Sequence, residues 1–428
     1  MDIAEIHSLF LKCQSVSIDT RKIESNSLFV AIKGDRFDAN TFTKEALEKG
    51  ASYVIIDNEE YYSDSRTILV KDSLTTLQEL AKFHRAYLKL PIIALTGSNG
   101  KTTTKELIHV VLSKKYKTKA TIGNLNNHIG VPLTLLSFTK ETEIGIVEMG
   151  ANHKKEIAFL CELAKPDYGY ITNFGKAHLE GFGGVEGVIE GKSEMYQYLS
   201  ENNKLAFINL EDPVQVEKSK TLKSYSFGLN KANADVNITM VKADPFVGIT
   251  YSNVPISSHL IGLYNGNNLN AALTIGKYFD VDNADIKEAL EGYIPENNRS
   301  QMMVKGTNEI ILDAYNANPS SMLVAIENFL QLGNPNKVMV LGDMFELGAE
   351  SKSEHQAIIA LLSGEEKAVC YFVGMDFYAN RIEKANFYFY ENFDAFSNHL
   401  KETKIENSMI LIKGSRGMAL ERTLEFLC

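Results

Sequence analysis

Thr96-Gly97-Ser98-Asn99-Gly100-Lys101-Thr102-Thr103-Thr104 decides how this chain is read. It follows the apolar run Ile92-Ile93-Ala94-Leu95 and leads into a segment of helical character, Lys105 to Lys114. A strand, a glycine-rich turn and a helix, in that order, wrap a phosphate. The turn's N–H groups and the helix's positive end face the anion, and a lysine adds a full charge. Lys101 is therefore expected at the terminal phosphates and the Thr102 hydroxyl on a magnesium ion. Gly97, Ser98, Asn99, Gly100 and Thr103 complete the nucleotide cradle. Leu95 stands where the common form of this loop has its first glycine, and only Ser98 and Asn99 separate Gly97 from Gly100-Lys101. That short form points away from motors and GTPase switches.

Around this loop the chain alternates strands and helices. Strands are expected at 92–96, 144–148, 168–172 and 205–209, apolar enough for a parallel sheet buried on both faces. Ligands of such sheets sit beyond the strands' carboxyl ends. Before Pro91 lie β-like runs, Ser27 to Ile32 and Tyr53 to Ile56, and a helical stretch from about Leu74 to Leu88. After a break near Tyr293-Ile294-Pro295 the alternation resumes, with strands at 309–313, 337–341, 370–373 and 409–412. The economical reading is α/β in three domains: a small mixed α/β N-terminal domain (1–88), a central phosphate-loop ATPase with a parallel sheet (89–296), and a C-terminal Rossmann-like domain (297–428).

The 428 residues allow about two to four domains at roughly 100–200 residues each. No apolar run approaches the ~18 residues of a membrane span, and Asp2 and Glu5 oppose a signal peptide. Four cysteines without metal-type spacing suit free thiols in a reducing cytoplasm. A net charge of −10 argues against a broad nucleic-acid surface, so anions must be held by local devices.

Several loops at the expected sheet edge carry chemistry. Glu148 ends the strand Ile144-Gly145-Ile146-Val147, where a hard cation beside phosphate wants an oxygen ligand; a solvated strand end is the competing explanation. His178 lies in Gly175-Lys176-Ala177-His178-Leu179, and Lys192 follows in Gly191-Lys192-Ser193; a packed histidine and a helix-surface lysine are their bland alternatives. Asn124, Asn126 and Asn127 suit hydrogen bonding to phosphate or an amide substrate, with a capped turn as the alternative. Asn265 and Asn268 offer both donor and acceptor, as an adenine edge requires, again against helix capping. In the last third, Asp313-Ala314-Tyr315-Asn316-Ala317-Asn318, Leu341-Gly342-Asp343-Met344-Phe345-Glu346 and Lys413-Gly414-Ser415-Arg416 end successive strands. Acidic and basic groups there suggest a zwitterionic or carboxylate-bearing ligand, with Arg416 suited to bidentate carboxylate binding.

Together these motifs resemble the ATP-dependent Mur ligases of peptidoglycan assembly, over the whole chain. Residues 17–32 look like that family's nucleotide-sugar domain. Thr96 to Thr104, Asn124 to Pro132, Glu148 to Asn152 and Ala177 to Glu180 look like its ATPase domain, and the three late motifs like its C-terminal domain. Three positions depart from the pattern: Tyr264 replaces a common histidine, Asp38-Ala39-Asn40 a usual Asp-Gly-His, and Gly417 a frequent serine. The resemblance implies ligation of D-Ala-D-Ala to UDP-MurNAc-tripeptide through an acyl phosphate, with ATP and Mg2+. It also implies roles. Lys101, His178 and Lys192 are catalytic, and Thr102, Glu148, His178 and a carbamylated Lys192 hold metal. Asn268 contacts adenine, Asp313 the ribose and Arg299 the ATP phosphates. Asp19, Thr20 and Arg21 lie by the uridine diphosphate. Asn126, Asn127, Tyr315, Asn316, Asn318, Lys413, Ser415 and Arg416 contact the peptides. The expected agent is a cytoplasmic monomer, neither inserted in a membrane nor bound to nucleic acid. The rival readings are a superfamily ligase for a different amino acid, a nucleotide switch, and a catalytically dead regulator.

Overall fold

The apolar run before the phosphate loop becomes the strand Ile92–Thr96, and its alternating residues serve two cores. Ile92 and Ala94 pack with the helices Ser73–Leu88, Gly130–Ser137, Glu156–Ala164 and Val185–Glu201. Ile93 and Leu95 point the other way, into the helices Lys101–Leu112 and Asn265–Tyr278. Successive side chains of a strand face opposite sides, so helices on both faces demand an unbroken apolar run. The structure, a computed structural model, describes every residue except 36, 244, 297 and 428. The expected first and last residues of the C-terminal domain, Asn297 and Cys428, therefore lie outside the described residues.

Ile92–Thr96 pairs in parallel with Ile144–Glu148 on one side and Tyr168–Ile171 on the other. The chain runs from the loop to the edge strand Thr118–Ala120, returns at Ile144–Glu148, then crosses to Tyr168–Ile171. That reversal opens a crevice beyond the strands' carboxyl ends, at the loop itself. Leu205–Asn209, Lys223–Leu229 and Val236–Ala243 extend the sheet in parallel. It then departs from the expected parallel pattern. Phe246–Tyr251 and Val254–Ile261 add an antiparallel meander, making nine strands. Ser252 and Asn253, at φ of 49° and 62°, close its last hairpin, the backbone that two-residue hairpin turns need.

The N-terminal sheet is parallel throughout, in the order Ser15–Ser17, Ser27–Val30, Ala51–Ile56, Thr67–Leu69. A buried histidine relay ties it to the centre. His7 Nε2 lies 3.0 Å from His84 Nδ1, and His84 Nε2 lies 2.9 Å from the Phe138 carbonyl oxygen. The C-terminal sheet runs Gln301–Lys305, Asn308–Asp313, Met409–Lys413, Lys337–Gly342, Val369–Val373, Phe387–Tyr390, with only the first pair antiparallel. Asp313 and Lys413 are register partners, as are Leu341 and Lys413. The acidic and basic strand ends thus share one edge.

Candidate active site

The loop closes tightly. Gly97 holds φ at 144°, and a β carbon there would stand 1.9 Å from Thr172 Oγ1. Gly100 caps the helix Lys101–Leu112 at φ 78°, and its β carbon would stand 2.7 Å from Asn268 Oδ1. Asn99 anchors the turn between them. Its N–H donates to Asn173 Oδ1 (3.1 Å), and its carbonyl accepts from Thr172 Oγ1 (2.6 Å) and Asn173 Nδ2 (2.9 Å). Lys101 folds its ammonium over Gly97 O (2.7 Å) and Ser98 O (3.3 Å). Burial pushes the Lys101 ammonium below its usual range, Glu148 acts against that shift, and Arg299 adds to it. Ser98 to Thr103 line a cavity of about 700 Å³.

Glu148 lines the same cavity yet is almost wholly buried. Its Oε1 accepts from Asn126 Nδ2 at 2.8 Å, and Oε2 has no hydrogen-bond partner among the described residues. An unsatisfied buried acceptor costs about 1–3 kcal/mol, more when charged. A hard cation at Oε2 would offset that cost, and the Thr102 hydroxyl belongs to the same wall. Carboxylate and hydroxyl oxygens fit magnesium. Asn127 divides from Asn126 in role. Its Oδ1 accepts from the backbone N–H groups of Ile129 (3.1 Å) and Gly130 (2.9 Å), the capped turn that was the alternative.

His178 sits at φ 54° before the short helix Leu179–Phe182 and lines the cavity. Its Nδ1 is bonded to Glu346 of the C-terminal domain, and this bond holds the Glu346 carboxyl below the usual range. Lys192 lies behind the lining, fully buried, with Nζ 5.3 Å from the Phe182 ring centroid. Burial, with Lys101 adding repulsion, brings its ammonium down to about 7.

Asn268 is held at both ends, accepting from Thr104 Oγ1 at 3.0 Å and donating to Asn265 Oδ1 at 2.7 Å. Across the cavity, the Arg299 guanidinium stacks 3.7 Å from the Tyr315 ring centroid, and Arg416 approaches the same ring at 5.7 Å. Asp313 Oδ2 pairs with buried Lys413 at 2.5 Å, and Oδ1 accepts from Ser300 N at 3.1 Å. Lys413 also reaches Asn316 O at 3.4 Å. Asn318 caps the helix Pro319–Gln331 and donates through Nδ2 to Asn99 Oδ1 at 2.7 Å, so the C-terminal domain touches the loop directly. Lys176 adds a second bridge, its N–H to Ser320 Oγ (2.8 Å) and its ammonium to Glu354 (2.5 Å).

Ser415 and Arg416 are not brought into the lining. Ser415 Oγ accepts from Phe345 N at 2.9 Å, and Arg416 pairs with Glu421 at 3.1 Å. Asp19, Thr20 and Arg21 lie on the N-terminal domain, away from the cavity lining, where Arg21 folds onto Asp19 at 2.8 Å. Sequence reasoning passed over Thr172, Asn173 and Glu346 as site residues, although Thr172 ends an expected strand, Asn173 follows it, and Glu346 closes one of the late motifs.

Residues 12–85 match the family description "Mur ligase family, catalytic domain", 95–276 the Mur ligase middle domain, and 298–416 the "Mur ligase, glutamate ligase domain". The UDP-N-acetylmuramoyl-tripeptide–D-alanyl-D-alanine ligase of Bacillus subtilis is 36% identical over 422 residues, covering 96% of this chain and 92% of that protein. The Escherichia coli protein of that name is 32% identical, covering 99% and 95%. Among solved structures, MurF from Acinetobacter baumannii superposes with a TM-score of 0.84 at 31% identity, covering 96% of this chain and 92% of that one. MurF ligase from Thermotoga maritima in complex with ADP gives 0.83 at 28% identity, with 97% of each chain covered.

Proposed function

This chain belongs to the Mur ligase family, and from that premise we propose that it joins D-Ala-D-Ala to UDP-MurNAc-tripeptide at the expense of ATP. The observation that carries the reading is a single cavity into which the phosphate loop, Glu148 and His178 project from one domain and Arg299, Asp313 and Lys413 from another. A nucleotide held by the loop would be met from the second domain by Arg299 and Asp313, with Lys413 beside the peptide ends.

The reaction needs an oxygen of the tripeptide's terminal carboxylate to attack the γ-phosphorus, with ADP leaving. The amine of D-Ala-D-Ala then attacks the acyl carbon of the resulting acyl phosphate, loses a proton, and phosphate departs. Lys101, the loop N–H groups and Arg299 stabilise charge on the transferring phosphoryl group, an effect that grows in a water-poor cavity. Thr102, Glu148, His178 and Lys192 as its carbamate would hold magnesium, which when bound neutralises phosphate charge. Asp313, paired with Lys413, would accept from ribose hydroxyls, and Asn268 would meet the base. Asn126, Asn127, Tyr315, Asn316, Asn318 and Lys413 line the cavity and would orient the peptide ends; Ser415 and Arg416 would serve the peptides from outside that lining, and Asp19, Thr20 and Arg21 would hold the uridine diphosphate.

The uncharged amine of Lys192 can add carbon dioxide, which turns a repelling cation into an oxygen ligand. Protein equilibrated with ¹³C-bicarbonate is expected to show one carbamate resonance that Lys192→Met abolishes; its absence from both would remove this role. The reading includes domain boundaries near 88/89 and 296/297 and a cytoplasmic monomer, which sedimentation would check. No helix among the described residues is long and apolar enough to cross a membrane.

Phosphate release from ATP tests the whole. It is expected only with both UDP-MurNAc-tripeptide and D-Ala-D-Ala present, together with pentapeptide product. Release with ATP alone would favour a nucleotide switch, and no release with the pair a ligase of other substrates.

A further inference from the structure

Glu346 takes no part in the steps above, yet its carboxylate is the hydrogen-bond partner of the His178 ring. It stands on the C-terminal domain four residues beyond the strand Lys337–Gly342, with φ at 62°, a left-handed conformation that side-chain-bearing residues resist. Its carbonyl oxygen accepts from Glu180 N at 3.3 Å. Two residues on, Gly348 has φ 56°, and a β carbon there would stand 3.1 Å from Glu180 Cβ. The segment 346–348 is thus fitted against 178–180 by backbone contact as well as by the side-chain bond. The other ring nitrogen of His178, Nε2, makes no hydrogen bond among the described residues, and the residue lines the cavity. A carboxylate that takes the Nδ1–H leaves Nε2 with its lone pair, and such partners fix both tautomer and ring plane.

We propose that Glu346 is a positioning residue that holds His178 in the Nδ1–H tautomer, with the Nε2 lone pair free for the cavity, only while the C-terminal domain is docked on the central one. Docking and readiness of the histidine are then one event. The inference rests on the ligase reading for its consequence in turnover, though not for its geometry. Glu346 is half exposed, and an ion pair of that exposure adds at most about 1 kcal/mol to stability. The bridges Lys176–Glu354 and Asn318–Asn99 hold the two domains together without touching His178.

The test uses the full chain and the variants Glu346→Ala, Glu346→Gln and Lys176→Met. In ¹⁵N spectra of the imidazoles, with His178→Asn identifying the signal, Glu346→Ala is expected to shift His178 away from the Nδ1–H tautomer. Its kcat should fall roughly 10- to 100-fold with KM for ATP within about twofold, the range seen when an outer partner of a working histidine is removed. Glu346→Gln, whose amide oxygen still accepts from Nδ1–H, should return kcat to within about threefold of the parent. Lys176→Met removes one partly exposed interdomain pair but leaves the domains docked through Asn318–Asn99 and the 346–348 seam, so both readouts should stay unchanged. An unaltered tautomer or kcat in Glu346→Ala overturns the proposal, as does a Glu346→Gln no better than alanine, or a Lys176→Met equally impaired. If the parent protein fails to ligate, the ligase reading falls, while the spectra still decide the tautomer.

Discussion

Replacing Glu148 with glutamine is expected to lower kcat by roughly 10²–10³-fold, the cost typical of losing one preorganised electrostatic group. Glutamine keeps the shape and can still accept from Asn126 Nδ2, so the strand end and the loop that follows should persist. What disappears is charge, in two places at once. Oε2, the buried oxygen without a partner, ceases to be a ligand for a hard cation. Lys101 also loses the neighbouring anion that supports its protonated form against burial and Arg299. Both losses act on the phosphoryl group in the same direction. The magnesium concentration for half-maximal activity should rise in parallel. A variant with kcat within tenfold of the parent at the same magnesium concentration would contradict the assignment.

Gly97→Ala should cost both fold stability and nucleotide binding. The backbone at φ 144° lies in a region that only glycine occupies freely, and a side chain there costs about 1–3 kcal/mol. Steric overlap comes on top of strain. The new β carbon would stand 1.9 Å from Thr172 Oγ1 and 2.9 Å from Thr172 N, and forcing a methyl into a packed site adds about 1–3 kcal/mol. Thr172 cannot yield cheaply, because its hydroxyl donates to Asn99 O and so holds the turn shut. Urea unfolding should shift to lower denaturant, and titration calorimetry should show ADP binding lost at accessible concentrations. Thr172→Ala in the same chain should recover only part of the stability, since the backbone nitrogen remains in the way. Unchanged unfolding together with ADP affinity within about threefold would defeat the argument from φ and overlap.

The phosphate loop and Glu148 were legible in sequence because their signals are local. Four apolar residues, two glycines and a lysine in fixed order need no knowledge of distant chain. The strands around the loop were legible for the same reason, being continuous apolar runs with polar ends. The meander 236–261 was not, because its strands lie at the sheet's end with one face wet, so their apolar residues are interrupted by Asn237, Thr239 and Ser257. Side-chain direction after a strand was also illegible. Lys413, Ser415 and Arg416 are near neighbours in sequence, yet Lys413 turns to Asp313, Ser415 inward to Phe345 N, and Arg416 outward to Glu421. Asn127 and Asn126 look alike in the chain; one caps its own turn and the other steadies Glu148. The His178–Glu346 pair spans 168 residues, and no spacing rule reaches so far.

The Asn318–Asn99 bond carries a lesson for domain exchange. The phosphate loop belongs by sequence to the central domain, but one of its polar contacts comes from the helix cap of the next. A chimera that grafts the C-terminal domain of a related ligase onto residues 1–296 inherits substrate preference from the donor only if the seam is compatible. Asn99 must still meet an amide, Lys176 an acid in place of Glu354, and His178 a carboxylate in place of Glu346. Those three pairs, far from any boundary in the chain, define what must travel together when such enzymes are recombined.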